Sequence, residues 1–161
     1  MPIEGRRRGN FDMQTTLFVI ISIAVLGLGW IRFAPTDIDA FHIDPAIAND
    51  PGPRGHKVIG LEAPRFDGDP DTVMEALMRV ARAEPRVRRL DGSVDEGMLT
   101  FVARSKWLGF RDYVTFKAVA EGSQTKLAAI SRSRYEIGSD WGTNRERLEN
   151  WFTKIEQILI E

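Results

Sequence analysis

The stretch 112–134 reads DYVTFKAVAEGSQTKLAAISRSR. Its first nine residues alternate, with Val114, Phe116, Ala118 and Ala120 on one side and Tyr113, Thr115, Lys117 and Val119 on the other, which is the period of a β-strand. Glu121-Gly122-Ser123-Gln124 has turn chemistry, and Thr125–Arg134 runs back as a second strand. Upstream, Met98–Arg104 alternates in the same way, with Leu99, Phe101 and Ala103 opposed to Thr100, Val102 and Arg104. These segments predict an antiparallel meander. Arg86–Leu90 is a further short strand, followed by an Asp91-Gly92 turn, and Lys57–Phe66 is a first strand ended by Asp67-Gly68. Two helices complete the pattern. Asp69-Pro70 opens one in which Val73, Leu77, Val80 and Ala81 recur at helical spacing, and Pro85 ends it. The capping box Thr143-x-x-Glu146 opens the other, with Leu148, Trp151, Phe152, Ile155, Ile158 and Leu159 in one stripe. The order is β-α-β-β-β-β-α, an α+β domain over 56–161 whose antiparallel sheet carries its helices on one face.

A different solvent is written into the start of the chain. Met13–Ile31 reads MQTTLFVIISIAVLGLGWI and holds no charge. As a helix it spans roughly 28 Å, close to the hydrocarbon thickness of a bilayer. A transmembrane anchor is expected over 13–33. Arg6, Arg7 and Arg8 precede it, whereas acids dominate after Arg32, so residues 1–12 are expected in the cytoplasm and the domain outside. A cleaved signal peptide is the rival reading. Bulky Trp30, Ile31, Arg32 and Phe33 stand where cleavage needs small residues, and the Ile38-Asp39-Ala40 sequence is a poor site. Residues 34–55 hold Pro35, Pro45, Pro51 and Pro53 with no helical or strand period, and read as a flexible extracytoplasmic linker.

Composition removes several classes. The net charge of −1 gives no basic surface for nucleic acid. With no cysteine there is no disulfide, thiol chemistry or thiolate metal site. His42 and His56 are the only histidines, and neither sits in a metal-ligand spacing. No nucleophile elbow, P-loop or dinucleotide fingerprint is present. No catalysis, cofactor or metal is expected.

Two passages carry a pattern: Arg104-Ser105 with Phe110-Arg111-Asp112-Tyr113-Val114, and Ser133-Arg134-Tyr135-Glu136-Ile137-Gly138-Ser139-Asp140-Trp141-Gly142-Thr143-Asn144-Arg145. They resemble the bacterial and plastid domain of unknown function 1499 family, over roughly Lys57 to Glu161. Many members have a cysteine near the domain start that this chain lacks, so any role resting on it does not transfer. The resemblance implies no activity.

The residues themselves suggest two sites. In the loop before the last helix, where Asp112, Gly138, Ser139, Asp140 and Gly142 read as a structural motif, Gly138 and Gly142 allow positive φ, and Asp140, Thr143 and Asn144 can cap N–H groups. The same helix start, with Arg132, Arg134, Arg145 and Asn144, could bind a phosphate or carboxylate. Against that, Asp112 and Asp140 could consume two of the arginines as internal ion pairs. Trp107, Leu108 and Phe110 crowd a turn that should be polar, either folding back onto the core or projecting towards a partner or the bilayer. Two functions follow as expectations. One is an interaction module at the periplasmic face of a bacterial inner membrane, an accessory subunit or assembly partner of a larger complex, respiratory or photosynthetic. The alternative is a carrier for a lipid or amphipathic anion lodged between sheet and last helix.

Overall fold

The computed structural model describes residues 12–106, 108–135 and 138–161, and the chain divides into two compact units, Met1–Ala34 and Pro35–Glu161. In the first, helix α1 (Met13–Phe33) is capped by Asp12, whose carboxylate accepts from the Thr15 N–H at 2.7 Å. None of its residues is buried, and it is long and apolar enough to cross a membrane. A membrane anchor and a signal sequence both have this form.

The second unit is an α+β domain. Its elements are β1 (Gly55–Val58), β2 (Arg65–Asp67), α2 (Pro70–Ala83), β3 (Val87–Ser93), β4 (Met98–Arg104), β5 (Arg111–Glu121), β6 (Gln124–Ser133) and α3 (Thr143–Ile160). All pairings are antiparallel, in the order β1-β6-β5-β4-β3, and β2 also pairs with β6 beyond β1. The single strand expected over Lys57–Phe66 is therefore two short ones. Gly60, at φ 62°, turns the chain out between them, and the Pro64 carbonyl rejoins the ladder by accepting from the Leu127 N–H at 3.0 Å. A second boundary also moves. Asp91-Gly92 lies inside β3 beside a bulge, not in the turn after it, and the turn is Val94–Gly97. Gly92 is required there, since its φ is 85° and a Cβ would sit 2.1 Å from the Met98 carbonyl oxygen.

The helices lie on one face, as the amphipathic stripes demand. Leu99, Phe101, Val114, Phe116, Leu127 and Ala129 pack there with Val73, Met74, Leu77 and Val80 of α2 and Leu148, Trp151 and Ile155 of α3. The Trp151 ring stacks on Phe116 with centroids 5.6 Å apart and meets Phe101 edge-on. Each such buried side chain contributes about 1.5–3 kcal/mol of transfer free energy.

The opposite face is where expectation and structure part. Thr100, Val102, Tyr113 and Thr115 are as buried as their helix-facing neighbours. The stretch 35–54, expected as a flexible linker, belongs to the domain and lies on this face as a strap. Thr36 shares a 2.8 Å hydrogen bond with the Tyr113 hydroxyl, Phe41 stacks on the Tyr113 ring at 3.7 Å, and Thr115 donates to the Phe41 carbonyl at 2.9 Å. Lys57 Nζ donates to the Ala48 carbonyl, and Ala48 is buried. The strap is a series of turns, at 38–42 and 44–48, that ends in a single 3-10 turn at Gly52–Arg54; what holds it is the polar set on the far face of the sheet, which finds partners in the strap backbone.

One consequence is a fixed proton order. The single Thr115 hydroxyl proton goes to Phe41, so the Thr100 hydroxyl donates to Thr115, at 2.9 Å. Thr100 must then accept from His42, 2.8 Å away, which makes Nδ1 the protonated ring nitrogen.

Candidate functional site

The polar residues of the two recognised passages meet where β5 begins, β6 ends and α3 starts. On β6 the helix-facing series runs Leu127, Ala129, Ser131, Ser133, turning polar at its end, and Asp112 pairs with Ser133 across the ladder. Into this polar end reaches Arg147. It donates to Asp112 Oδ2 at 2.8 Å, Ser131 Oγ at 3.0 Å and Asn144 Oδ1 at 2.6 Å, while Ser133 Oγ donates to Asp112 Oδ1 at 2.7 Å. Asn144 is fully buried and saturated. Its Oδ1 accepts from Arg147 and Ser131, and its Nδ2 donates to the Arg54 carbonyl and to Asp140 Oδ2.

Asp140 completes the arrangement. Its Oδ2 accepts the Asn144 N–H at 2.9 Å and its Oδ1 the Gly142 N–H at 3.1 Å. Partial burial pushes its carboxyl up, but the hydrogen bonds from Asn144 and Gly142 together outweigh that and hold it below the ordinary carboxylate value. The capping box is not formed. Gly142, at φ 83°, occupies the cap position, Thr143 donates to the Asp140 carbonyl, and the Asp140 carboxylate does the capping. Gly138 also has positive φ, at 80°, and Ser139 Oγ accepts the Trp141 N–H.

The four residues expected to gather on an anion are dispersed. Asn144 has no hydrogen-bonding capacity left. Arg132 donates to the Ala40 carbonyl and lies over the Phe41 ring, and Arg134 donates to the Pro35 carbonyl at 2.7 Å, so both bind the strap. Arg145 lies in an open groove with His56, Glu62 and Glu149. The ion pair foreseen for Asp112 does exist, but its cation is Arg147, which sequence reasoning passed over. The available signal was the pair of serines on the core-facing side of a strand, since a polar strand end facing a helix requires a donor from that helix.

In the aromatic turn, Trp107 lies outside the described residues. Ser105 and Phe110 close the turn on each other by backbone and hydroxyl hydrogen bonds, Phe110 is half-buried, and Leu108 points outward at 47% exposure rather than closing the core. Trp141 stands out further, at 91% exposure on a backbone with φ 58°. The grooves between α3 and its neighbours are open: one of about 270 Å³ is lined by Glu84, Arg86, Arg104, Arg147 and Lys154, and the one that holds Arg145, of about 420 Å³, also has Val58, Pro64 and Phe152 in its wall. Among the described residues no group of three or more His, Asp or Glu could hold a metal ion.

This ordered constellation is the one to set against known proteins. The family described as Protein of unknown function (DUF1499) matches over residues 42–155. The chain belongs to that family. The match starts at His42, inside the strap, so the DUF1499 unit takes in most of the ribbon that crosses the second sheet face as well as the α+β core. It ends at Ile155 on the buried stripe of α3. No curated protein matches the chain.

Proposed function

We propose that this DUF1499 chain is a membrane-anchored interaction module, with α1 retained in a bacterial inner membrane, the N-terminus in the cytoplasm, and the domain in the periplasm as an accessory or assembly partner of a larger membrane complex. The observation that carries this reading over a lipid or anion carrier is the filled interior. Trp151, Phe116 and Phe101 occupy the space between sheet and α3 where a carried ligand would lie, and of the three arginines meant for a head group Arg132 and Arg134 hold the strap while Arg145 lies in an open groove.

Apolar side chains are instead found outside. Leu61, 93% exposed, follows β1, and Ile47, 79% exposed, precedes Ala48, whose carbonyl is tied to Lys57 of β1. Together they flank the β1 edge of the sheet, a surface able to receive another protein. The test is purification from native membranes in mild detergent, comparing the natural chain with the Ile47→Asp/Leu61→Asp pair. A stoichiometric membrane partner should be lost from the pair while its melting temperature holds, a loss of about 2 kcal/mol or more for an interface anchor. A natural chain that brings down no stoichiometric partner sinks the module reading. Alkaline phosphatase fused after Glu161 should be active, and an inactive fusion on a stable protein overturns the topology.

A further inference from the structure

The antiparallel registers put Val87, Ala103, Asp112 and Ser133 in one row across the sheet, at one end of the domain, and Gly55 starts β1 opposite the adjacent Arg132. From that row leave the segment before β3, the turn 105–110 and the loop from Arg134 towards α3. These bear Arg86, Lys106 and Arg134, together with the exposed apolar side chains of Leu108 and Trp141, and the first turn of α3 adds Arg145. Of the described carboxylates nearby, Asp112 is occupied by Arg147, Asp140 by the α3 cap and Glu84 by Lys154, whereas Asp37 and Glu146 are exposed and Glu62 and Glu149 share the groove of Arg145. The other end is of opposite character. Its turns carry Asp67, Asp69, Asp95, Glu96 and Glu121, of which Glu121 is held by Arg65 and Lys126. The domain is thus polarised along its strands.

The chain enters this unit at the basic end. The Pro35 carbonyl accepts from Arg134 and Thr36 Oγ1 accepts from Arg111 at 2.9 Å, and Pro35 is two positions after Phe33, the last residue of the apolar helix. Trp141 adds an independent sign. A tryptophan in the left-handed backbone region, almost wholly in water, is unfavourable for the isolated domain, and tryptophan is enriched at headgroup level in membranes.

We propose that this end of the domain rests on the headgroup layer of an anionic bilayer, with Trp141 and Leu108 entering the layer and Arg86 and Arg145 facing lipid phosphates. The inference rests on the anchor reading above and goes beyond it by orienting the domain, which leaves the acidic end directed away from the membrane. The attraction is electrostatic and acts within about 10 Å at moderate salt, so it requires anionic lipid and weakens as salt rises.

The absence of cysteine allows a direct test on the full chain. Leu108→Cys and Glu96→Cys each carry one fluorophore, the second marking the acidic end, and the chain is reconstituted in phosphatidylcholine vesicles with or without phosphatidylglycerol. A nitroxide on the lipid headgroup is the quencher. Quenching at position 108 should exceed that at 96 by about threefold or more in anionic vesicles, and should fall towards the level at 96 in high salt, without phosphatidylglycerol, or on adding Arg86→Glu, Arg145→Glu and Trp141→Ser. Equal quenching at both positions, or quenching at 108 indifferent to lipid charge and salt, overturns the orientation. Retention in carbonate-washed vesicles separates the two readings: a chain that is washed out overturns the anchor and this inference together, whereas a retained chain with equal quenching overturns this inference alone.

Discussion

Replacing Arg147 by Met keeps the aliphatic stem and removes the guanidinium that joins β5, β6 and α3. Three hydrogen bonds go, to Asp112, Ser131 and Asn144, and Asp112 is left with Ser133 as its remaining donor among those described. Breaking a fully buried pair costs about 3–5 kcal/mol because the surviving charge is stranded. Here the side chains are 16% and 14% exposed, so water reaches part of the pair and the figure falls to about 2–4 kcal/mol. For a domain of this size that lowers the melting temperature by roughly 6–16 °C. Arg147→Met/Asp112→Leu removes both charges and should cost less than the sum of its single substitutions, with a coupling of about 1–3 kcal/mol. Thermal melts followed by near-ultraviolet circular dichroism, which reports the packing of Trp151, would measure the cycle. An Arg147→Met variant within about 0.5 kcal/mol of the natural chain, or additivity of the two changes, would refute the role given to this network.

Asp140→Ala should destabilise the domain by about 1–3 kcal/mol, because the Asn144 and Gly142 N–H groups lose their acceptor, and unchanged denaturant midpoints would contradict the cap. The folded Asp140 carboxyl lies below its ordinary value, so its contribution is complete above about pH 4 and is lost as pH falls through the lower folded value; Asp140→Asn should flatten that part of an acid titration of stability. Phe41→Ala removes the half-buried ring from Tyr113 and should cost about 1–2 kcal/mol while opening residues 35–54 to protease before the core, whereas protection unchanged along the strap would mean that Phe41 does not hold it.

The parts of the fold legible in the sequence were those governed by local periodicity. Val114, Phe116 and Ala118 marked the helix face of β5, and Leu148, Trp151 and Ile155 marked the buried stripe of α3, because each pattern reports directly on one covered face. The second covered face was harder to see. Val102, Tyr113 and Val119 opposed the helix-facing residues, but Thr100, Thr115 and Lys117 between them made that side look solvated, and a ribbon without regular structure has no period to announce its docking. The candidate site failed for a related reason. Arginine carries the same letter whether it binds an anion, a strap carbonyl or a buried aspartate, and the choice among Arg132, Arg134, Arg145 and Arg147 is made by strand alternation and by which residues cross above them. Alternation placed Arg132 and Arg134 opposite Ser131 and Ser133, which was enough to separate them from the α3 cap, whereas Arg147 needed the seating of α3 itself.

The strap also changes what joins the domain to the apolar helix. Twenty flexible residues would give a reach of roughly 25 Å and let the domain turn freely. With Pro35 and Thr36 bonded to Arg134 and Arg111, Ala34 alone lies between Phe33 and the first strap residue held by the sheet. Inserting ten Gly/Ser residues between Ala34 and Pro35 tests whether that short connection matters. No strap contact is touched, so the melting temperature should stay within about 0.5 kcal/mol equivalent of the natural chain. The insert restores a mean reach of roughly 17 Å and dilutes the basic end at the headgroups, so quenching of a label at position 108 should fall and its salt dependence should steepen. A stable insertion variant with quenching equal to that of the natural chain would mean that the surface holds the domain by its own affinity. A destabilised one would mean that the strap depends on the covalent connection, contrary to the hydrogen bonds that seat it.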